Sequence, residues 1–231
     1  MIYSLSMRTN LQKRSSNNMG TQIIPLRFGG DNCYVIENGS HAVLVDTGRN
    51  STREKLLAAL KPWDIELILL THGHFDHTYN AAFLAQKFDA KIALHVADAR
   101  LVRDNRIHKI DSRGPVGYFI KKVSIANINR IYIEPFEPAF YLQDGQDLRP
   151  FGIDAQIIAL PGHTVGSIGI LSGKACIVGD TLMNICGVSR ARIAEDFRAL
   201  DRSIGTLKRT DAEIFYPGHG GPVERKRLLN L

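Results

Sequence analysis

The sequence predicts an α/β domain built from alternating layers of strands and helices. From Gln22 onward, short runs rich in β-branched and aromatic residues alternate with segments of helical spacing. Polar, glycine-flanked motifs follow several of the predicted strands, at the positions where α/β folds form their sites. The 231 residues are 44% hydrophobic and 23% charged, which is typical of a globular protein with its own core. The strand–helix alternation therefore indicates a layered α/β fold.

The first predicted elements form a meander of three antiparallel strands. The runs Gln22–Phe28, Cys33–Glu37 and His41–Asp46 are separated by the turn sequences Gly29-Gly30-Asp31-Asn32 and Asn38-Gly39-Ser40. Short glycine-containing turns of this kind join neighbouring antiparallel strands, so the three runs are expected to pair in sequence order.

A helix is predicted after the meander, with Ser51 and Glu54 forming a capping box at its start and Pro62 stopping it near Leu60. The elements predicted next are a strand over Glu66–Leu70, a helix over Tyr79–Phe88 and a strand over Lys91–His95.

Residues 97–135 interrupt the alternation and are predicted to form a lid insertion. A helix is expected over Ala97–Arg106, after which Gly114-Pro115-Val116-Gly117 breaks the chain. A long irregular stretch inside a compact domain is typical of a lid or binding loop. Its aromatic and lysine side chains are candidates for contacting an acyl chain and an anionic group of a substrate: Tyr118, Phe119, Lys121 and Lys122.

Regular structure is predicted again in the last third of the chain. The expected strands are Phe140–Leu142, Asp154–Leu160, Ser167–Leu171, Lys174–Gly179 and Glu213–Tyr216. A helix is expected over Ala194–Lys208, and a short basic helix is expected after Gly220.

The net charge of +6 is concentrated in one segment. Between His95 and Arg130 there are three acidic residues and the following basic residues: Arg100, Arg103, Arg106, Lys109, Arg113, Lys121, Lys122 and Arg130. A local excess of this kind fits a small anionic substrate better than the overall positive field of a nucleic-acid packaging protein. A solvated helix face would give the same pattern, so both interpretations stay open.

Three cysteines are too few and too far apart for a disulfide framework. Cys33 and Cys176 lie in apolar runs, which indicates buried thiols and a reducing, cytoplasmic compartment. Residues 1–20 contain no acid and no long apolar run, so they fit neither a secretory signal nor a membrane span. We expect a disordered leader before one folded domain at 21–231, with a transit peptide or a start at Met19 as the alternatives.

The most informative stretch is Thr71-His72-Gly73-His74-Phe75-Asp76-His77, which directly follows an apolar run. His72 and His74 are two residues apart, so in an extended chain they face the same way. Asp76 and His77 follow where the chain turns into a helix. Two pairs of potential ligands directed at two points suggest two metal ions, the arrangement used for hydrolysis.

Three later motifs each follow a predicted strand and carry one further potential ligand. They are Pro161-Gly162-His163-Thr164, Gly179-Asp180-Thr181 and Pro217-Gly218-His219-Gly220. Each alone is a weak signal, because a single loop His or Asp is usually solvated. Together they indicate that strand ends converge on one site.

This set of motifs resembles the metallo-β-lactamase superfamily, and the resemblance extends from about Gln22 to Val223. It implies an αββα sandwich, in which two facing sheets have helices outside and a dinuclear zinc site at one edge. It further implies that one metal is held by His72, His74 and His163, that the other is held by Asp76, His77 and His219, and that Asp180 bridges both. Asp46 matches the acid that orients ligand histidines, although a turn aspartate bonding its own backbone would look the same.

The resemblance also implies a reaction. Imidazole and carboxylate ligands suit two zinc ions, and iron or manganese fit the same ligand types. A hydroxide shared by the metals would attack the substrate, and Asp76 would orient it and pass its proton to the leaving group. The complete ligand set is closer to the thioesterase and lactonase branch, such as glyoxalase II, than to true β-lactamases, which lack the bridging Asp. The expected substrate is therefore a thioester, lactone or related ester.

Several points stay open at the level of sequence. The chain ends soon after His219, without the helical domain by which typical glyoxalase II enzymes hold glutathione. Tyr79 either narrows the pocket or packs under its helix. A nuclease or phosphodiesterase of the same superfamily is one alternative, although aromatic and basic residues interleave little outside 118–122. A metal-binding sensor without activity is the other. No membrane partner is expected, and the protein would be a monomer or a homodimer.

Overall fold

The computed structural model describes residues 20–104, 106–107 and 109–231. In chain order, its strands are β1 (Gln22–Arg27), β2 (Asn32–Asn38), β3 (His41–Val45), β4 (Ile65–Leu69), β5 (Lys91–His95), β6 (Asp111–Ser112), β7 (Phe140–Leu142), β8 (Gln156–Ala159), β9 (Ile168–Ser172), β10 (Ala175–Asn184), β11 (Ser189–Arg190), β12 (Ile193–Ala194), β13 (Ile214–Gly220) and β14 (Val223–Glu224). Its helices are α1 (Arg53–Leu60), α2 (Phe75–Thr78), α3 (Ala81–Phe88), α4 (Ala99–Arg103), α5 (Gly114–Ile128), α6 (Phe197–Arg209) and α7 (Arg225–Leu229). The leader predicted for residues 1–20 lies outside the described residues, except for Gly20. Within those ranges, none of the helices has both the length and the apolar character needed to cross a membrane.

Two mixed sheets form the centre of the fold. The first has the order β1-β2-β3-β4-β5-β7, and the second has the order β14-β13-β10-β9-β8, with β11 paired to β10. The predicted meander is confirmed, because β1, β2 and β3 pair antiparallel in sequence order. From β3 onward the first sheet is parallel. A small separate pair joins β12 to β6.

Side-chain alternation along the strands produces four layers. In β3, Leu44 packs towards α1 and α3, whereas its neighbours Val43 and Val45 pack between the two sheets. In β10, Ile177 faces the first sheet, whereas Val178 packs towards α6 and α7. Alternate residues of a strand point to opposite faces, so each sheet buries one face against helices and the other against its partner sheet. The predicted αββα sandwich is confirmed.

The parallel strands bring distant parts of the chain to one edge of the sandwich. Because β3, β4 and β5 run in the same direction, the residues that follow them meet at their carboxyl ends. Asp46 follows β3, His72 follows β4 and Asp98 follows β5. In the second sheet, β10 and β13 are also parallel, and they carry Asp180 and His219 to the same edge.

Two predicted strand ends were wrong. Strand β10 continues through Asp180 to Asn184, and β13 continues through His219 to Gly220, instead of ending at Gly179 and Tyr216. The pairing of the two strands shifts register around Gly179, which has a positive φ of 49°. This irregularity turns the backbone, so a side chain in mid-strand reaches the site.

The predicted capping box was also wrong. Residues Asn50–Thr52 form a single 3₁₀ turn before α1, and no side chain caps either of these helices. The hydroxyl of Thr52 instead donates to the carbonyl of Arg49, at 2.8 Å. The predicted helix over Tyr79–Phe88 begins at Ala81, after the short helix α2.

The predicted break at Gly114-Pro115-Val116-Gly117 is the start of the 15-residue helix α5. Proline is tolerated in the first turn of a helix, where its missing N–H would have no partner. Gly117 then lets the helix approach the loop before β12 closely, because a Cβ atom there would lie 2.7 Å from the carbonyl oxygen of Arg192. Within the segment 97–135 that was expected to be irregular, Gly114–Ile128 is therefore a helix that packs against the domain.

Candidate metal centre

The histidine-rich turn after β4 is largely buried and carries four potential metal ligands. His74 precedes α2 with extended backbone, and Asp76 and His77 lie on the helix itself. His72 and His77 are almost entirely inaccessible to solvent, whereas Asp76 is partly exposed. The turn therefore contributes His72 and His74 to one group of potential ligands and Asp76 and His77 to another.

The first ligand cluster consists of His72, His74 and His163. His74 Nδ1 lies 3.1 Å from His72 Nε2 and 2.8 Å from His163 Nε2. Nitrogen ligands bound at about 2.0–2.1 Å to one tetrahedral ion lie about 3.3 Å apart. The three nitrogens are thus grouped nearly as one metal ion requires.

The second cluster consists of Asp76, His77 and His219. His219 Nε2 lies 3.5 Å from Asp76 Oδ2, and one ligand atom from each residue falls within 4.8 Å of the others. Asp76 comes from α2 and His219 from β13, so this cluster joins the two sheets across the edge of the sandwich.

Asp180 lies between the two clusters. Its Oδ1 is 3.4 Å from His77 Nε2, and its Oδ2 is 3.5 Å from His163 Nε2 and 3.3 Å from His219 Nε2. Among the described residues, His77 Nε2 and Asp180 Oδ1 are buried polar atoms that make no hydrogen bond. Buried polar atoms are almost always satisfied, so this donor set fits two metal ions that share the Asp180 carboxylate.

Hydrogen bonds to the far side of the rings fix three of these histidines in one tautomer. Nδ1–H of His163 donates to the carbonyl of Ile193 at 3.0 Å, and Nδ1–H of His219 donates to the carbonyl of Gly30 at 2.7 Å. His77 donates from Nδ1 to Asp46 Oδ2 at 2.8 Å. In the neutral form of each ring, Nε2 therefore keeps the lone pair that a metal ligand requires, and this atom is directed at the clusters.

Asp46 lies beneath the histidine-rich turn. It is fully buried with a positive φ of 60°, a conformation that Asp adopts more readily than most residues. Besides His77, its carboxylate accepts from the backbone N–H and the hydroxyl of Thr71, both at 2.8 Å. The Thr71 hydroxyl in turn lies 3.1 Å from His72 Nδ1. Asp46 therefore orients a histidine of each cluster, one directly and one through Thr71.

The electrostatics of the site follow from burial and from three carboxylates, those of Asp46, Asp76 and Asp180. Burial lowers the pKa of His72, and the neighbouring histidines lower it further. Burial also opposes the charging of His77 and His219, but the nearby carboxylates outweigh it, raising the pKa of His77 and bringing that of His219 to about 9. Burial would raise the pKa of Asp180, yet His219 and His77 hold it well below its usual value. Protons and metal ions thus compete for the same atoms.

Asp98 is a buried carboxylate at the site that the sequence analysis missed. Its oxygens accept from the backbone N–H groups of Gly73 and Gly166, both at 2.8 Å, and from the hydroxyl of Thr164 at 2.7 Å. It therefore ties the turn between His72 and His74 to the loop that carries His163. Its position directly after a parallel strand was the signal that could have revealed it.

Replacing Asp98 with alanine is expected to lower the free energy of unfolding by about 3 kcal/mol, because buried donors of two loops lose a charged acceptor. Equilibrium urea unfolding at pH 7 measures this change. The exposed Asp64 supplies the control, since Asp64→Ala should change the same free energy by no more than about 0.5 kcal/mol. Equal effects of the two substitutions would contradict this role for Asp98.

A cavity of about 300 Å³ opens beside the metal centre. Asp76, His163, Asp180 and His219 form part of its wall, together with the inner face of α5. Arg49 is the one lysine or arginine among its described lining residues. The guanidinium of Arg49 forms a two-pronged ion pair with Asp31 and reaches to 4.0 Å from Asp76.

The predicted substrate contacts of the lid do not line this cavity. Tyr118 and Phe119 are 56% and 68% exposed, and Lys122 lies over the ring of Tyr118 at 4.9 Å. Together with Lys121, they lie outside the described cavity wall, because the turn of the helix directs other residues inward. Tyr79 also lies outside it and packs against Phe75 and its neighbours at the end of α5.

Comparison with known proteins identifies a matching family model, related sequences and similar solved structures. A sequence model described as the metallo-beta-lactamase superfamily matches residues 26–219. Hydroxyacylglutathione hydrolase GloC of Haemophilus influenzae is 29% identical over 210 residues, covering 87% of this chain and 91% of the relative. Atrochrysone carboxyl ACP thioesterase of Aspergillus fumigatus is 26% identical over 207 residues, covering 86% of this chain and 53% of the relative. Among solved structures, TTHA1623 in a di-iron-bound form is similar with a TM-score of 0.68 and 28% identity, covering 89% of this chain and 95% of that one.

Proposed function

Since the chain belongs to the metallo-β-lactamase superfamily, we propose that it is a dinuclear metal-dependent hydrolase that cleaves thioesters. The observation that carries the proposal is the position of Asp180, whose two oxygens face both ligand clusters. A single carboxylate between two sets of ligands is suited to holding two ions close together.

Two zinc ions per chain are the proposed cofactors, with iron or manganese as alternatives. Histidine and carboxylate donors suit all three metals, and the similar protein TTHA1623 has been obtained with two irons. When bound, two such ions supply a water nucleophile of lowered pKa and polarise the scissile carbonyl.

Asp76 is the proposed proton-transfer residue. It is the partly exposed member of the second cluster and it lines the cavity, so substrate and water can both reach it. In the proposed reaction a C–O bond forms between water and the acyl carbon while the C–S bond breaks. Asp76 takes the proton of the attacking water and delivers it to the leaving sulfur.

The choice of a thioester rests on two relatives and on the cavity. Hydroxyacylglutathione and acyl-carrier substrates, which appear in the names of the relatives, are both thioesters. The nuclease alternative drew its support from the basic residues of the lid. Those residues lie outside the described wall of the cavity, where Arg49 is already paired with Asp31.

A panel assay tests the proposal. The protein loaded with zinc, and separately with iron, is offered a thioester, a lactone and a phosphodiester. We expect a kcat/KM of about 10⁴ M⁻¹s⁻¹ or more on the thioester, and loss of that activity after chelation with recovery on adding metal. Faster cleavage of the phosphodiester, or thioester cleavage that survives complete removal of metal, would overturn the proposal.

A further inference from the structure

We propose that the mainly apolar wall formed by helix α5 is an acyl-binding subsite, which selects thioesters of straight, medium-length acyl groups. This inference rests on the proposed thioesterase function and names its substrate class. The α5 residues that line the cavity are Ile120, Val123, Ser124, Asn127 and Ile128. Positions separated by three and four residues form one stripe along a helix, so a continuous face of α5 is turned to the cavity.

Helix α5 is attached at both ends, so its inner face is a fixed wall. At the amino end, Arg113 donates from its backbone N–H to the carbonyl of Arg192 at 3.1 Å, and Gly117 packs directly on that carbonyl. At the carboxyl end, Ile128 is 5% exposed and packs with Phe75 and Ile133. Because Phe75 adjoins the ligands His74 and Asp76, the wall has a defined position relative to the metal centre.

Other residues of the cavity wall are also apolar. They are Ile110, Met183, Ile185 and Ile193, and they line the cavity together with α5 and residues of the metal centre. Val123 and Ile185 remain 44% and 67% exposed, which leaves apolar surface uncovered at the mouth. A concentration of uncovered apolar surface beside polar groups is typical of a ligand site. The hydrocarbon part of a substrate would cover it while the thioester carbonyl meets the metal centre.

The size of the cavity sets the length of the acyl group. A volume of about 300 Å³ corresponds to about ten groups of the size of a water molecule. Allowing for the thioester atoms, it accommodates an acyl chain of about six to eight carbons. Each methylene group buried on this wall is expected to increase kcat/KM about fourfold until the cavity is full.

Hydrolysis of a chain-length series tests the subsite. The substrates are acyl thioesters of N-acetylcysteamine with acyl chains from two to about twelve carbons, at fixed metal content. We expect kcat/KM to rise with length, to peak at about six to eight carbons and then to fall. Val123→Phe should move the peak about two carbons shorter by filling the cavity, and Ile120→Ala should move it to longer chains.

The matched controls are Ile125→Phe and Ile125→Ala. Ile125 is 40% exposed on the same helix but is absent from the cavity wall. It is rotated by about 200° around the helix axis from Val123, so its side chain lies on nearly the opposite face. These controls should leave the peak in place. A flat profile, or an equal shift from the Ile125 variants, would overturn the acyl subsite.

A binding measurement separates this inference from the proposed function. Calorimetric titration with non-hydrolysable S-alkyl thioethers of N-acetylcysteamine should show the same dependence on chain length and the same shift with Val123→Phe. If binding follows chain length but no thioester is cleaved, the subsite stands and the thioesterase proposal fails. If thioesters are cleaved but neither binding nor kcat/KM depends on chain length, the thioesterase proposal stands and the subsite fails.

Discussion

Replacing Asp180 with alanine is expected to lower kcat/KM by at least about 10³-fold and to reduce the metal content from about two ions per chain to about one. The carboxylate faces His77 through one oxygen and both His163 and His219 through the other. Its removal takes a ligand from both clusters at once. It also removes a negative charge that lies 3.4 Å from His77 Nε2 and 3.3 Å from His219 Nε2, so two cations would have to occupy the site with less compensation.

Elemental analysis and steady-state kinetics on the same preparations measure this effect. Asp211→Ala is the matched control, because Asp211 is exposed and lies away from the site in the loop before β13. Asp180→Asn separates charge from shape, since it keeps an oxygen but loses the charge, and its activity should fall between those of the wild type and Asp180→Ala. Two tightly bound ions and undiminished activity in Asp180→Ala would rule out a bridging role for this carboxylate.

The ligand residues of the site could be predicted from sequence because they lie next to recognisable sequence motifs. His72, His74, Asp76 and His77 follow an apolar strand directly, and the three later motifs combine glycines with one potential ligand each. All seven side chains meet at one edge of the sandwich. The backbone that carries Asp180 was harder to predict. Gly179, Asp180 and Thr181 interrupt the apolar pattern of the strand, which nevertheless continues because β11 and β13 pair with its later residues.

The predicted lid shows a second reason why structure could not be predicted fully from sequence. The residues Gly114 and Pro115 are usual turn signals, but proline in the first turn of a helix removes no hydrogen bond and does not destabilise the helix. The helix that follows is stabilised by packing at its two ends. Its sequence is apolar on both faces, so hydrophobic periodicity could not show which face lines the cavity. The aromatic and lysine side chains were predicted to contact substrate because of their chemical groups. The residues that line the cavity include Ile120, Val123 and Ile128, which are ordinary apolar residues.

Asp98 was missed because its partners are distant in sequence. Gly166 is 68 positions away, and only the parallel arrangement of β4 and β5 brings Asp98 to the turn after His72. A buried aspartate in this position is indistinguishable in sequence from a solvated helix cap. Contacts that hold ligand loops together are therefore less visible in sequence than the ligands themselves.

Replacing Gly218 with alanine is expected to lower kcat/KM at least about 10²-fold and to weaken metal binding about 10- to 100-fold, although it changes no ligand. A Cβ atom at this position would lie 2.2 Å from Asp180 Oδ1 and 2.6 Å from His77 Cε1. The backbone cannot yield easily, because the carbonyl of Pro217 accepts hydrogen bonds from the hydroxyl of Tyr34 at 2.6 Å and the amide of Asn32 at 2.9 Å. The ligand side chains must move instead.

Gly221→Ala supplies the matched control for this prediction. Gly221 lies three residues further along the chain, and its nearest contact for an added Cβ is Asn184 Nδ2 at 3.5 Å, an ordinary van der Waals distance. Competition with a chromogenic chelator measures metal affinity, and thermal unfolding shows whether each variant is folded. If Gly218→Ala binds metal and turns over substrate like Gly221→Ala, then His77 and Asp180 have room to adjust. The precise positioning of these two side chains by the backbone of β13 would then not be a requirement of the site.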